Sequence, residues 1–151
     1  MIGGPSKYWV LPPEIMGPLQ EEFQFDYDPI PFSAGFVEFD GFADVPEGKK
    51  SVWLNPLFGR GRTKWVRWAI KQAEHGKLVV VILPLDGWVN LFFEQIFGVG
   101  RSARGTLSGE IRPIGSHDWL NPETGAKRRS SRPSFLFILR PREQILTGAK
   151  P

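Results

Sequence analysis

The sequence predicts an α/β protein, a single domain over residues 1–151 in which a mixed, mostly parallel sheet is flanked by helices. Three observations predict it. Segments with the apolar spacing of helices alternate along the chain with short apolar segments typical of strands. One of these, Leu78–Leu83, is a continuous apolar run without alternation, as expected for a strand buried on both faces. The chain of 151 residues is 41% hydrophobic, which suffices for the core of one domain.

The first third of the chain is predicted to hold one helix and two strands. Between Pro13 and Phe23 the apolar residues fall on one face of a helix, and the prolines at its start suit a first turn. Aromatic and polar residues then alternate up to Asp28-Pro29, which predicts a strand ending there. Residues 29–50 are rich in Pro, Gly and acidic residues and are predicted to be a loop. A short buried strand, Ser51–Leu54, follows.

The remainder is predicted to contain two helices and three strands. Thr63 can cap the first helix, and His75-Gly76 can end it. In chain order the elements are helix Lys64–Glu74, strand Leu78–Leu83, helix Trp88–Phe97, strand Glu110–Ile114 and strand Ser134–Leu139. Residues 115–133 are predicted to form a polar, basic loop, and residues 141–151 a tail.

Composition excludes several classes of site. The chain has no cysteine, which removes disulfides, thiolate metal sites and thiol nucleophiles. The two histidines, His75 and His117, are too far apart in sequence for a common metal spacing, so no metal site is expected. No signal peptide is evident, and the longest apolar run is far shorter than the roughly 20 residues of a membrane helix. We therefore expect a soluble, cytoplasmic protein without a membrane partner.

Charge is distributed unevenly. Residues 1–50 hold three basic and nine acidic side chains, whereas the rest of the chain holds sixteen basic and seven acidic ones. An acidic N-terminal part and a basic C-terminal part suit a protein that binds a cationic small molecule and a polyanion such as nucleic acid. Chance clustering on a solvated surface is the alternative interpretation.

The segment Asn55-Pro56-Leu57-Phe58 follows the predicted strand Ser51–Leu54 and carries the clearest chemistry. The exocyclic amine of a base is a poor nucleophile because its lone pair is delocalised into the ring. Two acceptors side by side, the Asn55 amide oxygen and the Pro56 carbonyl, could hold both amine hydrogens and draw the nitrogen toward tetrahedral geometry. Phe58 is placed to stack on a base taken out of the duplex. An ordinary turn beside a packed Phe is the alternative.

Together with three other segments, this motif resembles the phage-type DNA N6-adenine methyltransferase (Dam-like) family over nearly the whole chain. Its opening W-x-T-P-P-E element is similar to residues 9–14, its F-D-x-D-P strand to residues 25–29, and its V-x-N-P-P-[YF]-G motif to residues 52–59. The order and spacing of Lys64-Trp65-Val66, of Leu78 to Pro84 and of Trp88 are similar to the remainder of the family.

The resemblance implies a Rossmann-like methyltransferase core, S-adenosylmethionine as methyl donor and adenine in DNA as acceptor. It places Trp9 and Pro12 near the methionine end of the cofactor. Asp28 and Pro29 would line the cofactor pocket, and Asp40 would contact the adenosine part. A carboxylate near a sulfonium and an ammonium group stabilises such a ligand. The resemblance also implies a phage or prophage protein acting in a bacterial cytoplasm. Without the resemblance, the acidic residues could equally be turn formers.

Two groups of basic residues are candidates for contacts with DNA phosphates. The first follows the motif directly and comprises Arg60, Arg62 and Lys64. The second lies in the predicted loop 115–133 and comprises Lys127, Arg128, Arg129 and Arg132. Solvated surface charge is the alternative for both groups. Since the chain has little room for a separate recognition domain, specificity is expected to come from loops or from the second subunit of a homodimer.

Departures from the family pattern keep two other functions open. Leu57 stands where the family has Pro, which loosens the turn, and Leu11 stands where a Thr is common. A catalytically weakened or inactive methyltransferase-fold protein that binds nucleic acid is therefore the first alternative. The second is a protein glutamine methyltransferase, since the same acceptor pair would suit a planar side-chain amide.

Overall fold

The computed structural model describes residues 9–30, 42–56, 62–84, 89–98 and 105–141. Within them the chain forms three helices and six strands. The helices are α1 (Pro13–Phe23), α2 (Arg62–Glu74) and α3 (Val89–Phe97). The strands are β1 (Ser51–Leu54), β2 (Leu78–Pro84), β3 (Leu107–Gly115), β4 (Asp118–Leu120), β5 (Lys127–Arg129) and β6 (Ser134–Pro141). In this part of the chain, every helix is too short or too polar to cross a membrane.

The main sheet has four strands in the order β1-β2-β6-β3. β1 and β2 are parallel, with α2 between them in the chain, and β6 pairs antiparallel with both β2 and β3. Beyond β1, Tyr27 forms a single parallel bridge to Val52, where the alternating pattern predicts a strand. The predicted α/β class, with a mixed sheet and flanking helices, is confirmed.

The prediction that the sheet is mostly parallel is wrong for the described strands of the main sheet, since two of the three pairings among them are antiparallel. A continuous apolar run indicates that a strand is covered on both faces, but it does not indicate the direction of the strand. β2 and β6 both carry such runs and both lie in the interior of the sheet. Only the pairing register reveals that they run in opposite directions.

Side chains on the two faces of the sheet enter two separate apolar clusters. Val52 and Leu54 of β1 pack in one cluster with α2 and α3, whereas Trp53 packs in the other. The second cluster holds the buried face of α1, including Leu19 and Phe23, together with Trp119 of β4. The sheet therefore lies between a layer formed by α2 and α3 and a layer formed by α1 and β4.

Part of the predicted loop 115–133 is ordered as a two-stranded antiparallel hairpin of β4 and β5. The hairpin leaves the main sheet at the end of β3 and returns to it at the start of β6. Its second strand, Lys127–Arg129, is exposed at every position. Because it buries no apolar side chain, its sequence carries none of the alternation that predicts a strand. The predicted tail lies outside the described residues, apart from Pro141.

Candidate functional site

Asn55 lies at the carboxyl end of β1, where ligands commonly bind in α/β sheets. Its side chain is 6% exposed, and its Nδ2 donates a hydrogen bond of 2.9 Å to the main-chain carbonyl of Trp9. Since a carbonyl can only accept, this bond fixes which end of the amide carries the hydrogens. Within the described residues Oδ1 accepts no hydrogen bond. Asn55 is thus a buried amide whose nitrogen is bonded to Trp9 and whose oxygen is left as an acceptor.

A cleft of about 310 Å³ opens at this edge of the sheet. It is lined by Trp9, by residues 128–132 of the hairpin, and by Trp119, Pro84 and Ser134. A recess of about 10 Å³ beside Asn55 and Pro56 shares the last three of these residues, so the two spaces are adjacent. Because Pro84 and Ser134 are paired in the sheet, β2 and β6 form a fixed floor between them.

The hairpin makes the cleft strongly basic. Arg128, Arg129 and Arg132 line it and are exposed. The guanidinium carbon of Arg128 lies 5.9 Å from the centroid of the Trp9 ring, a cation–π contact near its outer limit. Arg129 pairs with Asp118 at 3.4 Å across the hairpin, and the two side chains are 67% and 38% exposed. Exposed pairs of this kind contribute little stability, so the Arg129 guanidinium can exchange Asp118 for an anionic ligand at little cost.

His117 is a buried polar residue bonded to Ser134 of the cleft lining, and the sequence did not single it out as functional. It is 4% exposed, and its Nδ1 lies 2.8 Å from the carbonyl oxygen of Asp118. Because that oxygen can only accept, Nδ1 carries the hydrogen; in the neutral ring, Nε2 then accepts from the Ser134 hydroxyl at 2.7 Å. The imidazole therefore ties the hairpin to the floor of the cleft. His117 and Ser134 lie seventeen positions apart, and no local pattern pairs them.

We expect His117→Ala to lower the free energy of unfolding by about 1–3 kcal/mol, because the buried Ser134 hydroxyl loses its partner. Urea denaturation followed by tryptophan fluorescence measures the change. His75→Ala is the matched control, since His75 is exposed just after α2 and its replacement should change stability by less than about 0.5 kcal/mol. Equal effects of the two substitutions would contradict the assigned role of His117.

A second cavity, of about 360 Å³, lies beside Asp28. Met16 and Gln20 of α1 line it together with the aromatic residues Phe25, Tyr27 and Trp53. Burial raises the pKa of the Asp28 carboxyl to about 6, although a hydrogen bond of 2.9 Å from the Ile30 N–H partly offsets the effect. A half-buried carboxylate among aromatic rings suits a cationic ligand, which would restore the interactions that burial removes.

The structure brings several of the predicted residues together and separates others. Trp9, Asn55 and Pro56 meet Arg128, Arg129 and Arg132 around the cleft and its recess. Lys127 is exposed on β5 but does not line the cleft, and Lys64 is exposed in the first turn of α2. Pro12 caps α1, where its carbonyl accepts from the N–H groups of Ile15 and Met16, and Pro29 follows Asp28.

Other predicted residues are not described. Phe58, Arg60 and Asp40 lie outside the described residues, and Arg62 begins α2 with a side chain that is not described. In the part of the chain that the structure covers, no group of His, Asp and Glu residues could hold a metal ion.

Comparison with known proteins finds no family model, no curated protein and no solved structure that matches this chain. Its function therefore has to follow from the chemistry of the site. That chemistry combines an oriented amide acceptor at a strand end, a basic aromatic cleft and a half-buried carboxylate beside a cavity.

Proposed function

We propose that the protein is an S-adenosylmethionine-dependent DNA N6-adenine methyltransferase with a Rossmann-like core. The orientation of the Asn55 side chain carries this proposal. Its amide hydrogen is engaged by Trp9, and its oxygen is left as an acceptor at the carboxyl end of a parallel strand. The next residue, Pro56, lines the same recess.

The two hydrogen-bond acceptors would make the adenine amine a better nucleophile. Asn55 Oδ1 and the Pro56 carbonyl would each accept one hydrogen of the adenine amine, which localises the nitrogen lone pair before the new N–C bond forms. The new N–C bond would form as the S–CH3 bond of the methyl donor breaks, the departing sulfur would keep the electron pair of that bond, and the amine would release one proton to solvent. Because the Asn55 amide is already fixed by Trp9, little reorganisation is needed when the base arrives.

The residues beside Asp28 fit the methyl donor. S-adenosylmethionine supplies an electrophilic methyl group on a positively charged sulfur. The Asp28 carboxylate and the rings of Phe25, Tyr27 and Trp53 line a cavity suited to a cation. Pro29 adjoins Asp28, and the resemblance adds Pro12 and Asp40 to the residues that would hold this ligand. Since Tyr27 bridges to Val52 in parallel, Asp28 lies alongside the carboxyl half of β1, toward Asn55.

DNA is the acceptor that the cleft favours. Three arginines line it beside the Asn55 recess, and guanidinium groups bind phosphates well. A protein glutamine methyltransferase would have less use for this basic cleft. A nucleic-acid-binding protein without methyl transfer would share it, so the test must separate binding from chemistry.

The test is incorporation of a labelled methyl group from S-adenosylmethionine into DNA, followed by nucleoside analysis. We expect N6-methyldeoxyadenosine with adenine-containing DNA, and no label when hypoxanthine, which lacks the amine, replaces adenine. Label in cytosine would assign a different acceptor base, and label only in a protein extract would favour the glutamine reaction. Absence of S-adenosylmethionine binding at millimolar concentration in calorimetry would exclude the enzyme and leave nucleic-acid binding alone.

A further inference from the structure

The cleft beside the hairpin places an aromatic ring next to several groups that can bind phosphate. Trp9 is half-buried and lines the cleft with its indole in contact with Arg128. The hairpin adds two further arginines and the hydroxyls of Ser130 and Ser131. An aromatic surface next to several phosphate-binding groups is the arrangement used by proteins that bind unpaired nucleotides.

Arg128 is placed both to contact the Trp9 ring and to bind a phosphate. Within the described residues it makes no ion pair, and its contact with Trp9 at 5.9 Å is a long one. A guanidinium group has five N–H donors, few of which a ring contact engages. A base that stacks on Trp9 would displace the guanidinium from the ring, and Arg128 would then reach the phosphate of the same nucleotide.

The size of the cleft selects the form of nucleic acid. Its volume of about 310 Å³ is at the lower end of the roughly 300–1,000 Å³ found for small-molecule sites. It therefore suits one nucleotide at a time rather than a base pair. The pairing of β2 with β6 in the floor, and the His117 ring bonded to Asp118 of the hairpin and to Ser134 of the floor, keep the cleft from widening easily.

We propose that this cleft binds an unpaired nucleotide of single-stranded DNA, with the base stacked on Trp9 and the adjoining phosphates held by Arg128 and Arg132. The choice of DNA as the polymer rests on the proposed function, whereas the requirement for an unpaired base rests on the cleft. The site differs from the predicted stacking on Phe58 and gives the Trp9 indole a role toward nucleic acid rather than toward the cofactor.

The experiment measures DNA binding by fluorescence anisotropy without S-adenosylmethionine, so that its outcome is independent of methyl transfer. Three labelled probes of equal length are compared: a single-stranded deoxyadenosine oligonucleotide, the same strand with abasic sites throughout, and a mixed-sequence duplex. We expect the intact single strand to bind at least about 10-fold more tightly than either of the others, as stacking contributes about that factor or more per base. Equal affinity for intact and abasic strands, or tighter binding of the duplex, would overturn the proposal.

Variants of the protein separate the contribution of base stacking to DNA affinity from the contribution of positive charge. Trp9→Ala should bring the intact strand down to the affinity of the abasic one, while Trp9→Phe should retain most of the preference and exclude misfolding as the cause. Arg128→Ala should weaken both strands and reduce the salt dependence of binding. Lys71→Ala, which removes the same charge from the exposed surface of α2, is the control and should leave binding unchanged.

The two proposals fail in different ways. If the protein binds single strands with the expected preference but transfers no methyl group, the proposed enzymatic activity is contradicted and the proposed nucleotide binding in the cleft is supported. If the protein methylates adenine but binds intact and abasic strands equally, the proposed enzymatic activity is supported and stacking of a base on Trp9 is contradicted.

Discussion

Asn55→Ala is expected to slow methyl transfer to adenine about 10²- to 10³-fold, the usual loss when one oriented polar group at a reacting centre is removed. The substitution removes the acceptor and also the bond to the Trp9 carbonyl. It leaves the cavity beside Asp28 and the arginines of the cleft in place, so the affinities for S-adenosylmethionine and for DNA should change little. Single-turnover rates with saturating DNA separate this loss of chemistry from a loss of binding.

The control for Asn55 is another buried side-chain amide. Gln72 of α2 is 1% exposed, donates to Asp44 and accepts from the N–H of Val45, all away from the cleft. Gln72→Ala should destabilise the fold, as expected when a buried hydrogen-bonded group is lost, yet leave the rate per folded molecule unchanged. If both variants lose the same activity per folded molecule, Asn55 acts through stability and not through the amine.

Asp28→Asn is expected to stabilise the protein at neutral pH and to weaken its binding of a cationic ligand. Burial raises the folded-state pKa of Asp28 from 3.8 to about 6. A group with a raised folded-state pKa contributes stability below its unfolded value, and this stability is lost as the pH rises through the folded value. Above about pH 6 the ionised Asp28 therefore destabilises the fold, by about 1–3 kcal/mol. The asparagine side chain can still accept from Ile30.

Denaturation curves from pH 4 to pH 8 measure this effect. The wild-type protein should lose this contribution to stability between about pH 4 and pH 6, and Asp28→Asn should not. Asp26→Asn is the control of opposite sign, because hydrogen bonds from the Ser51 and Lys50 N–H groups lower the pKa of Asp26. Its loss should destabilise the protein at neutral pH and have a smaller effect in acid.

Ligand binding gives the second measurement on Asp28. Calorimetry with S-adenosylmethionine should show affinity that weakens in the wild type as the pH falls through 6, because protonation removes the attracting charge. Asp28→Asn should bind more weakly at neutral pH and with little dependence on pH. Wild-type affinity that is independent of pH would place the ligand away from Asp28.

Hydrophobic patterns in the sequence located the helices and strands well where an element buries one face or both faces. The apolar face of α1 set its bounds at Pro13 and Phe23, as the structure has them. The buried strands β1 and β2 were also located correctly, because short apolar runs bounded by polar and turn-forming residues are typical of buried strands. By contrast, the exposed strand β5 has no such pattern, and the direction of β6 depends on pairing with distant strands.

Only part of the site could be predicted. Residues that directly follow a strand could be located from the sequence, whereas contacts between residues distant in sequence could not. The position of Asn55 at the end of β1 follows from the strand before it. Its bond to Trp9 joins residues 46 positions apart, so no local signal shows how the amide is oriented. Asp28 likewise shares its cavity with Met16 and Gln20 of α1, which the spacing of acidic residues does not reveal.

The segment from Trp9 to Leu11 has a consequence for how the molecule assembles. Val10 exchanges two main-chain hydrogen bonds with Leu120 of β4, while the Trp9 carbonyl holds Asn55. Contacts this distant in sequence form late in folding, because long loops must close before they are made. We therefore expect the sheet and its helices to form first. Competence for catalysis would then arise only in the last step, when this short segment docks and joins the strand end to the hairpin.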